Sequence, residues 1–341
     1  MQLLIPKIYS KYVFTCLFIF FTAFISMMPL KSLAGITTTQ TINIKKGWNA
    51  IFLEVYPVDP DLDITFQNTP IMQVLSYFSD SSSIQFIQNP EEIDWKKEKW
   101  QTWFQPGHPQ EYLKTLYALI DNQAYIVFSA SDYTLQIKGT PGIQKRQWQP
   151  DNFNFVGFHV DPIAPPSFAQ FFAGSVNHQD LKIFSLVNGL WKAIENPDQE
   201  LIQSGTAYWV YCNSGSQYVG PLEINLPGAN SYLDFGRTIS EFKLEINNRS
   251  PDPLSFTVAP IPNPQNEETV PLSTVSYTMI TIKEYHPFET QTQPIELEQG
   301  QSQQFIIAIN RDSMEGESVS GLIKIFDDMG NRFFVPIKAE K

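Results

Sequence analysis

Three aspartates stand at alternate positions in the stretch DPDLD, Asp59, Asp61 and Asp63, and alternating carboxylates are how a calcium loop begins. An EF-hand loop started at Asp59 would need Gly at its sixth place and a bidentate Glu at its twelfth, and those places hold Ile64 and Pro70. What remains is a looser candidate calcium site at Asp59, Asp61 and Asp63. Its competing reading is a solvated acidic turn in which Asp63 or Asn68 caps a following helix. The second chemical cluster is aromatic: Trp95, Trp100 and Trp103 fall in WKKEKWQTWFQPGH, where flat rings beside Asn, Gln and acidic groups suit stacking on sugar faces. Glu91, Glu92, Asp94 and Glu98 share that segment, so a paired-carboxylate glycosidase is a further reading. The interleaved Lys96, Lys97 and Lys99 instead mark a solvated charged face.

Little else in the chain is built for chemistry. His108, His159, His178 and His286 have no metal-ligand spacing. There is no G-x-S-x-G elbow, no phosphate loop and no dinucleotide fingerprint. No catalytic residue is nominated and no cofactor is expected. The candidate contact surface is Trp95 and Trp100 of the segment 89–109, with Trp103 and Trp191 read as equivalent core plugs.

Export is the expectation from the first residues. Lys7 and Lys11 precede an apolar run from Tyr12 to Leu30, and Ser32-Leu33-Ala34 supplies small residues for cleavage before Gly35. A retained single-pass anchor is the rival. Excluding 1–34 leaves 307 of 341 residues, and removing three lysines from 23 basic residues leaves 20 against 35 acids, net −15. Such a surface repels nucleic acid and anionic membrane. Only Cys212 then remains, so no intramolecular disulfide forms and stability rests on packing.

The elements that would position these residues repeat. KGWNAIFLEVYP at 46–57 and DNFNFVGFHVDP at 151–162 align at an offset of 105, pairing Trp48 with Phe153, Asn49 with Asn154 and Leu53 with Phe158. Period-2 alternation makes each a strand. DNQAYIVF and SGTAYWVY align at an offset of 83, pairing Tyr125 with Tyr208 and Val127 with Val210, so the first copy carries about 22 extra residues, placed at 89–109. PIMQVLSYFSD and PSFAQFFAGSV are the helix candidates. Two small β modules, each with one short helix, are therefore expected at 40–140 and 141–227.

This pattern resembles a repeat module of bacterial surface and secreted proteins that opens on a GWN strand and closes on G-x-G-Y-W-V. Gly205, Tyr208, Trp209 and Val210 match, whereas the first copy lacks the glycine and tryptophan. Modules of that kind are mostly uncharacterised, so the resemblance implies little about activity. After a linker, LPGANS at 226–231, about eight short alternating segments and the turn DDMGNR predict a β-sandwich over 230–341. LEINNRSPDPLSFTV and GLIKIFDDMGNRFFVPIKAE resemble Ig-like domains of the Hydin and abnormal-spindle type, which implies a spacer, anchor or binding platform. The expected fold is thus mainly β, two tandem modules followed by an Ig-like sandwich.

The functional expectation is a non-enzymatic cell-envelope or extracellular protein, periplasmic or outside the cell, that binds or spaces surface components. Its partner would be a cell-surface protein or a polysaccharide, with no nucleic acid and no membrane span after cleavage. A carbohydrate-binding protein using the exposed tryptophans of 89–109, and a secreted hydrolase with unidentified acids, are the alternatives.

Overall fold

Alternating buried and exposed side chains recur along most of the chain, and strands follow from them. The structure, a computed structural model, describes residues 36–78, 100–143, 145–228, 231–262, 269–278 and 282–341. The segment 1–34, expected from sequence to be a signal peptide, and Trp95 lie outside the described residues. The protein is mainly β, and Gly35–Lys341 form one compact unit.

The first module contributes β1 (Thr38–Ile44), β2 (Gly47–Leu53), β3 (Val55–Pro57), a one-turn helix α1 (Leu62–Thr65), β4 (Ile71–Tyr77), β5 (Trp100–Phe104), β6 (Gln123–Ser129) and β7 (Tyr133–Pro141). They form an antiparallel sheet in the order β2-β6-β4-β5 and a smaller one in the order β1-β7-β3. In the second module β8 (Asn152–Gly157), α2 (Phe168–Phe172), β9 (Ile183–Val187), β10 (Leu190–Ala193) and β11 (Ala207–Cys212) give the antiparallel order β8-β11-β9-β10. The two four-stranded sheets have one topology, β2 corresponding to β8, β6 to β11, β4 to β9 and β5 to β10.

Small polar devices repeat with the topology. Asn49 Oδ1 accepts from the Lys45 amide, and its Nδ2 donates to the Lys45 and Gly47 carbonyls; Asn154 makes the same three bonds to Gln149 and Asn152. The Tyr125 hydroxyl accepts the Ile120 amide and the Tyr208 hydroxyl accepts the Gln203 amide, the same pair 83 residues apart. The repeated Asn and Tyr therefore lash loops to strands.

Two expectations need correction here. PIMQVLSYFSD is not a helix but β4, whose two faces are both buried: Val74 faces the module's own core, and Leu75 and Tyr77 face the second module. Burial on both sides removes the period-2 alternation that marks a half-buried strand. The second module also ends earlier than 227. The strand β12 (Leu222–Asn225) pairs with β14 (Glu241–Asn248) and belongs to the sandwich.

That sandwich has one sheet ordered β12-β14-β19-β16-β17, with β16 (Leu272–Thr278), β17 (Ile282–Phe288) and β19 (Ser302–Ile309). The other is ordered β13-β21-β20-β15-β18, with β13 (Leu233–Asp234), β15 (Leu254–Ile261), β18 (Ile295–Leu297), β20 (Ser318–Asp327) and β21 (Arg332–Glu340). Both inner faces bury one apolar core that includes Phe256, Ile307, Ile325 and Val335. The expected turn lies between β20 and β21, where Gly330 takes a positive φ of 95°.

The two modules pack sheet against sheet. Their shared core joins Phe52, Leu75, Tyr77 and Trp100 of the first to Phe155, Trp191 and Trp209 of the second. Matched positions meet across it. Phe52 corresponds to Gly157, and a Cβ on Gly157 would lie 2.3 Å from Phe52 Cβ. Two large side chains cannot share that point, so one copy supplies the ring and the other the gap. Gly157→Ala is therefore expected to overpack the seam and destabilise the protein by about 1–3 kcal/mol, read as a lower urea midpoint. An unchanged midpoint would show that the modules do not meet this closely.

Candidate functional site

The chain kinks between β2 and β3 at Glu54, an acidic residue in an otherwise apolar run, and the side chain is buried. A carboxylate in that position needs partners. Its Oε1 accepts from Ser204 Oγ at 2.9 Å, and its Oε2 meets Arg332 Nη2 at 3.2 Å. Ser204 comes from the second module and Arg332 from the start of β21 in the sandwich. One residue from each of the three parts thus converges on one point.

The surroundings hold each group in place. Gln40 of β1 accepts the Glu54 amide and donates to the Phe52 carbonyl, closing the kink from inside. Arg332 Nε donates to the Val160 carbonyl at 2.8 Å, and its amide donates to the His159 carbonyl. The turn that delivers Arg332 is fixed by Asp327, which accepts the Asn331 amide and side chain, both at 2.8 Å. Gly330 lets this turn touch the second module, because a Cβ there would lie 2.0 Å from the Ala164 carbonyl oxygen.

Burial sets the charges. It raises the Glu54 carboxyl above its ordinary value, opposed by the Arg332 charge and the Ser204 hydrogen bond. His159 is held down to about 3, first by burial and then by Arg146 and Arg332. The ring is therefore neutral, its Nε2 bonded to Asn122 Oδ1 at 2.7 Å, and its 3.9 Å approach to Glu54 is not an ion pair. Arg146 is buried between the Trp148 and Phe158 rings, bonded to the Gly157 carbonyl, and desolvation lowers it to about 9. Ser204 donates to the Glu54 carboxylate and accepts from Arg332 Nη2, whereas His159 bonds Asn122 and not the serine. The arrangement ties three distant segments of the chain together.

A cleft of about 790 Å³ opens over this junction. One wall is β1, from Thr38 to Asn43; the other is formed by residues 200–204 with Ile163; and Glu54, His159 and Arg332 lie between them.

The residues nominated from sequence fall elsewhere. Trp100 is corrected from a contact surface to the core. It is 7% exposed and packs on Tyr77 and Trp209 at ring distances of 5.2 and 6.3 Å. Its counterpart is Trp191, since each faces the matching residue of its neighbour, Tyr77 and Leu186. Trp103 matches Ile194, which bonds Ile183 as Trp103 pairs with Val74. Asp59, Asp61 and Asp63 are corrected from a calcium site to a helix start. Asp61 caps α1 by accepting the Asp63 amide, and Asp59 accepts the Asp61 amide. The Asp63 oxygens take Trp103 Nε1 and Lys114 Nζ, both at 2.6 Å. Among the described residues no group of three or more His, Cys, Asp or Glu is placed to hold a metal ion.

Sequence reasoning passed over Glu54, Ser204, Arg332 and Arg146. The available signal was a charged residue on a strand buried on both faces, Glu54 in FLEVYP, which demands a distant partner.

No family model matches the chain, and no curated protein matches it. Among solved structures it is similar to PapD-like domain 7 of human CEP192, at 9% identity and a TM-score of 0.22 over 36% of this chain and 84% of that domain. The YadV chaperone matches at 7% and 0.24 over 35% of this chain and 51% of the other. A FixG-related protein from Vibrio parahaemolyticus matches at 12% and 0.21 over 36% and 96%. At such scores these likenesses carry no argument about activity.

Two outcomes are expected at the junction. Arg332→Ala strands a buried carboxylate and costs about 3–5 kcal/mol at neutral pH by urea unfolding, the loss shrinking at acid pH as Glu54 is protonated. A loss under 1 kcal/mol would mean that Glu54 is not sealed from water. For His159 the folded pKa lies below the unfolded value of 6.5, so the unfolded state binds the proton first and stability falls as pH drops from 6.5 toward about 3. Relative to His159→Gln, the wild-type protein should lose about 1.4 kcal/mol per pH unit through that window. Parallel stability curves for the two proteins would contradict a buried neutral ring.

Proposed function

We propose that this is an exported, non-enzymatic protein of the cell envelope or exterior that binds or spaces surface components. The observation that carries the reading is the junction: Glu54, Ser204 and Arg332 tie three β units into one body at a fixed spacing. A fixed spacing suits a spacer or a platform. The clustered polar groups beneath the cleft support a holding role, because Ser204 and Arg332 from distant parts of the chain both bond Glu54, and the neutral His159 bonds Asn122.

Export is supported by the apolar run after Lys7 and Lys11 and by the acidic balance of the rest. Among the described residues no helix is long and apolar enough to cross a membrane. Acidity disfavours a nucleic-acid partner. The partner is a surface protein, with polysaccharide as the other outcome of the test.

Mild cross-linking in the native cell, fractionation and affinity recovery of the full chain decide this. The expected result is recovery outside the cytosol together with one stoichiometric protein. Polysaccharide without protein would replace the partner. A cytosolic location, or recovery of no partner, would overturn the proposal.

A further inference from the structure

Among the described residues the strand β1 is an open edge with none of the usual protection. All seven residues pair with β7, from Thr38↔Gly139 to Ile44↔Tyr133, and among the described residues the order β1-β7-β3 leaves the other side of β1 without a strand. Among the described residues, no main-chain hydrogen bond joins β1 to any other strand. An edge presents a row of unpaired N–H and C=O groups, and proteins blunt it with proline, charge, a bulge or shortness. The stretch TTQTINI has no proline and no charge, pairs in unbroken register and is largely β-branched. Three of the other edges are guarded: β17 carries Lys283, Glu284 and Pro287, β3 ends in Pro57 and β13 is two residues long.

The open edge also faces a built space. Thr38–Asn43 line the cleft, and the far wall presents Ile163, 91% exposed, and Leu201, 51% exposed. Six strand residues at about 3.3 Å each span about 20 Å. Among the described residues Glu200 on the rim makes no ion pair, whereas Glu54 is answered by Arg332. The charge left open in the cleft is negative.

We infer that an extended, non-acidic peptide segment of a partner protein docks in this cleft by adding a strand to β1. Its backbone bonds Thr38–Asn43, its alternate apolar side chains cover Ile163 and Leu201, and a basic residue at one end meets Glu200. Backbone pairing supplies affinity and the alternating pockets supply selection. The inference rests on the binding reading above and names the partner's chemistry.

The test uses the purified full chain and a fluorescein-labelled heptapeptide, acetyl-Lys-Thr-Val-Thr-Val-Thr-Lys-amide, followed by anisotropy. Two analogues N-methylated at alternate residues, one in each frame, keep the side chains and delete opposite sets of backbone donors. A third replaces both lysines with glutamates. The expected result is binding, slowed amide exchange confined to Thr38–Asn43, at least a tenfold loss in one N-methyl frame and not the other, and weaker binding of the acidic analogue. Ile163→Ser with Leu201→Ser, both exposed and so tolerated by the fold, should weaken binding several-fold with an unchanged melting temperature. Equal binding of both N-methyl frames, unchanged exchange in β1, or no binding at millimolar peptide would overturn strand addition. Those failures would leave a partner recovered by cross-linking standing, docked on another surface.

Discussion

A carboxylate withdrawn from water costs several kcal/mol unless its oxygens are filled, and Glu54 fills them from parts of the chain 150 and 278 residues away. That requirement organises the molecule. The kink between β2 and β3 places Glu54, the loop before β11 must bring Ser204, and the β20–β21 turn must bring Arg332. Separating the sandwich would strip Glu54 of its counter-charge and separating the second module would strip it of a hydrogen-bond donor, so the junction couples three units that each have their own apolar core. The neighbouring neutral His159, perpendicular to the Phe52 ring and stacked on Phe333, fills the remaining space without adding charge.

The shared strand order of the two modules bears on why such a junction exists. In the first module β7 closes a small sheet with β1 and β3. In the second, the matching segments remain only as single bridges, Trp148↔Ser216 and Val160↔Asn331, and the closing strand β12 has gone to the sandwich. The second copy thus completes itself with its neighbour's strands, and its core gains Trp148, Phe168, Phe171 and Phe172 in place of a second sheet. Matched faces of the two copies then pack together. Where equivalent positions coincide, the sequence breaks its own symmetry, as Phe52 against Gly157 shows.

The strands of the two modules were readable because Ile51, Leu53 and Val55, like Val156, Phe158 and Val160, alternate with the pleat. The sandwich was readable from its turns. The helix placement was not, since β4 is buried on both faces and Ile71, Val74 and Leu75 leave no polar face to set the period. Trp100 misled for a related reason: an aromatic among lysines reads as exposed, yet its strand is the edge that packs on the other module. The sites failed more completely. Asp63 looks like a cation ligand until Trp103 and Lys114 arrive from 40 and 51 residues away. Long-range pairs of that kind have no local signature, and the Glu54 junction is the largest of them.

The rigidity of the junction also bears on what the cleft costs to use. Binding a flexible segment loses conformational freedom on the partner's side, and a site that must also order itself loses it twice. Here the walls come from three units already held by Glu54, Gln40 and Arg332, so the edge of β1 stays presented without any rearrangement. An unguarded edge is a hazard on an open surface, where a second chain could pair with it along its full length. Here the same edge shares its cleft with residues 200–204 and Ile163, so a chain that pairs with it must also meet those residues. The clamp that keeps the units together thereby makes an otherwise risky strand tolerable.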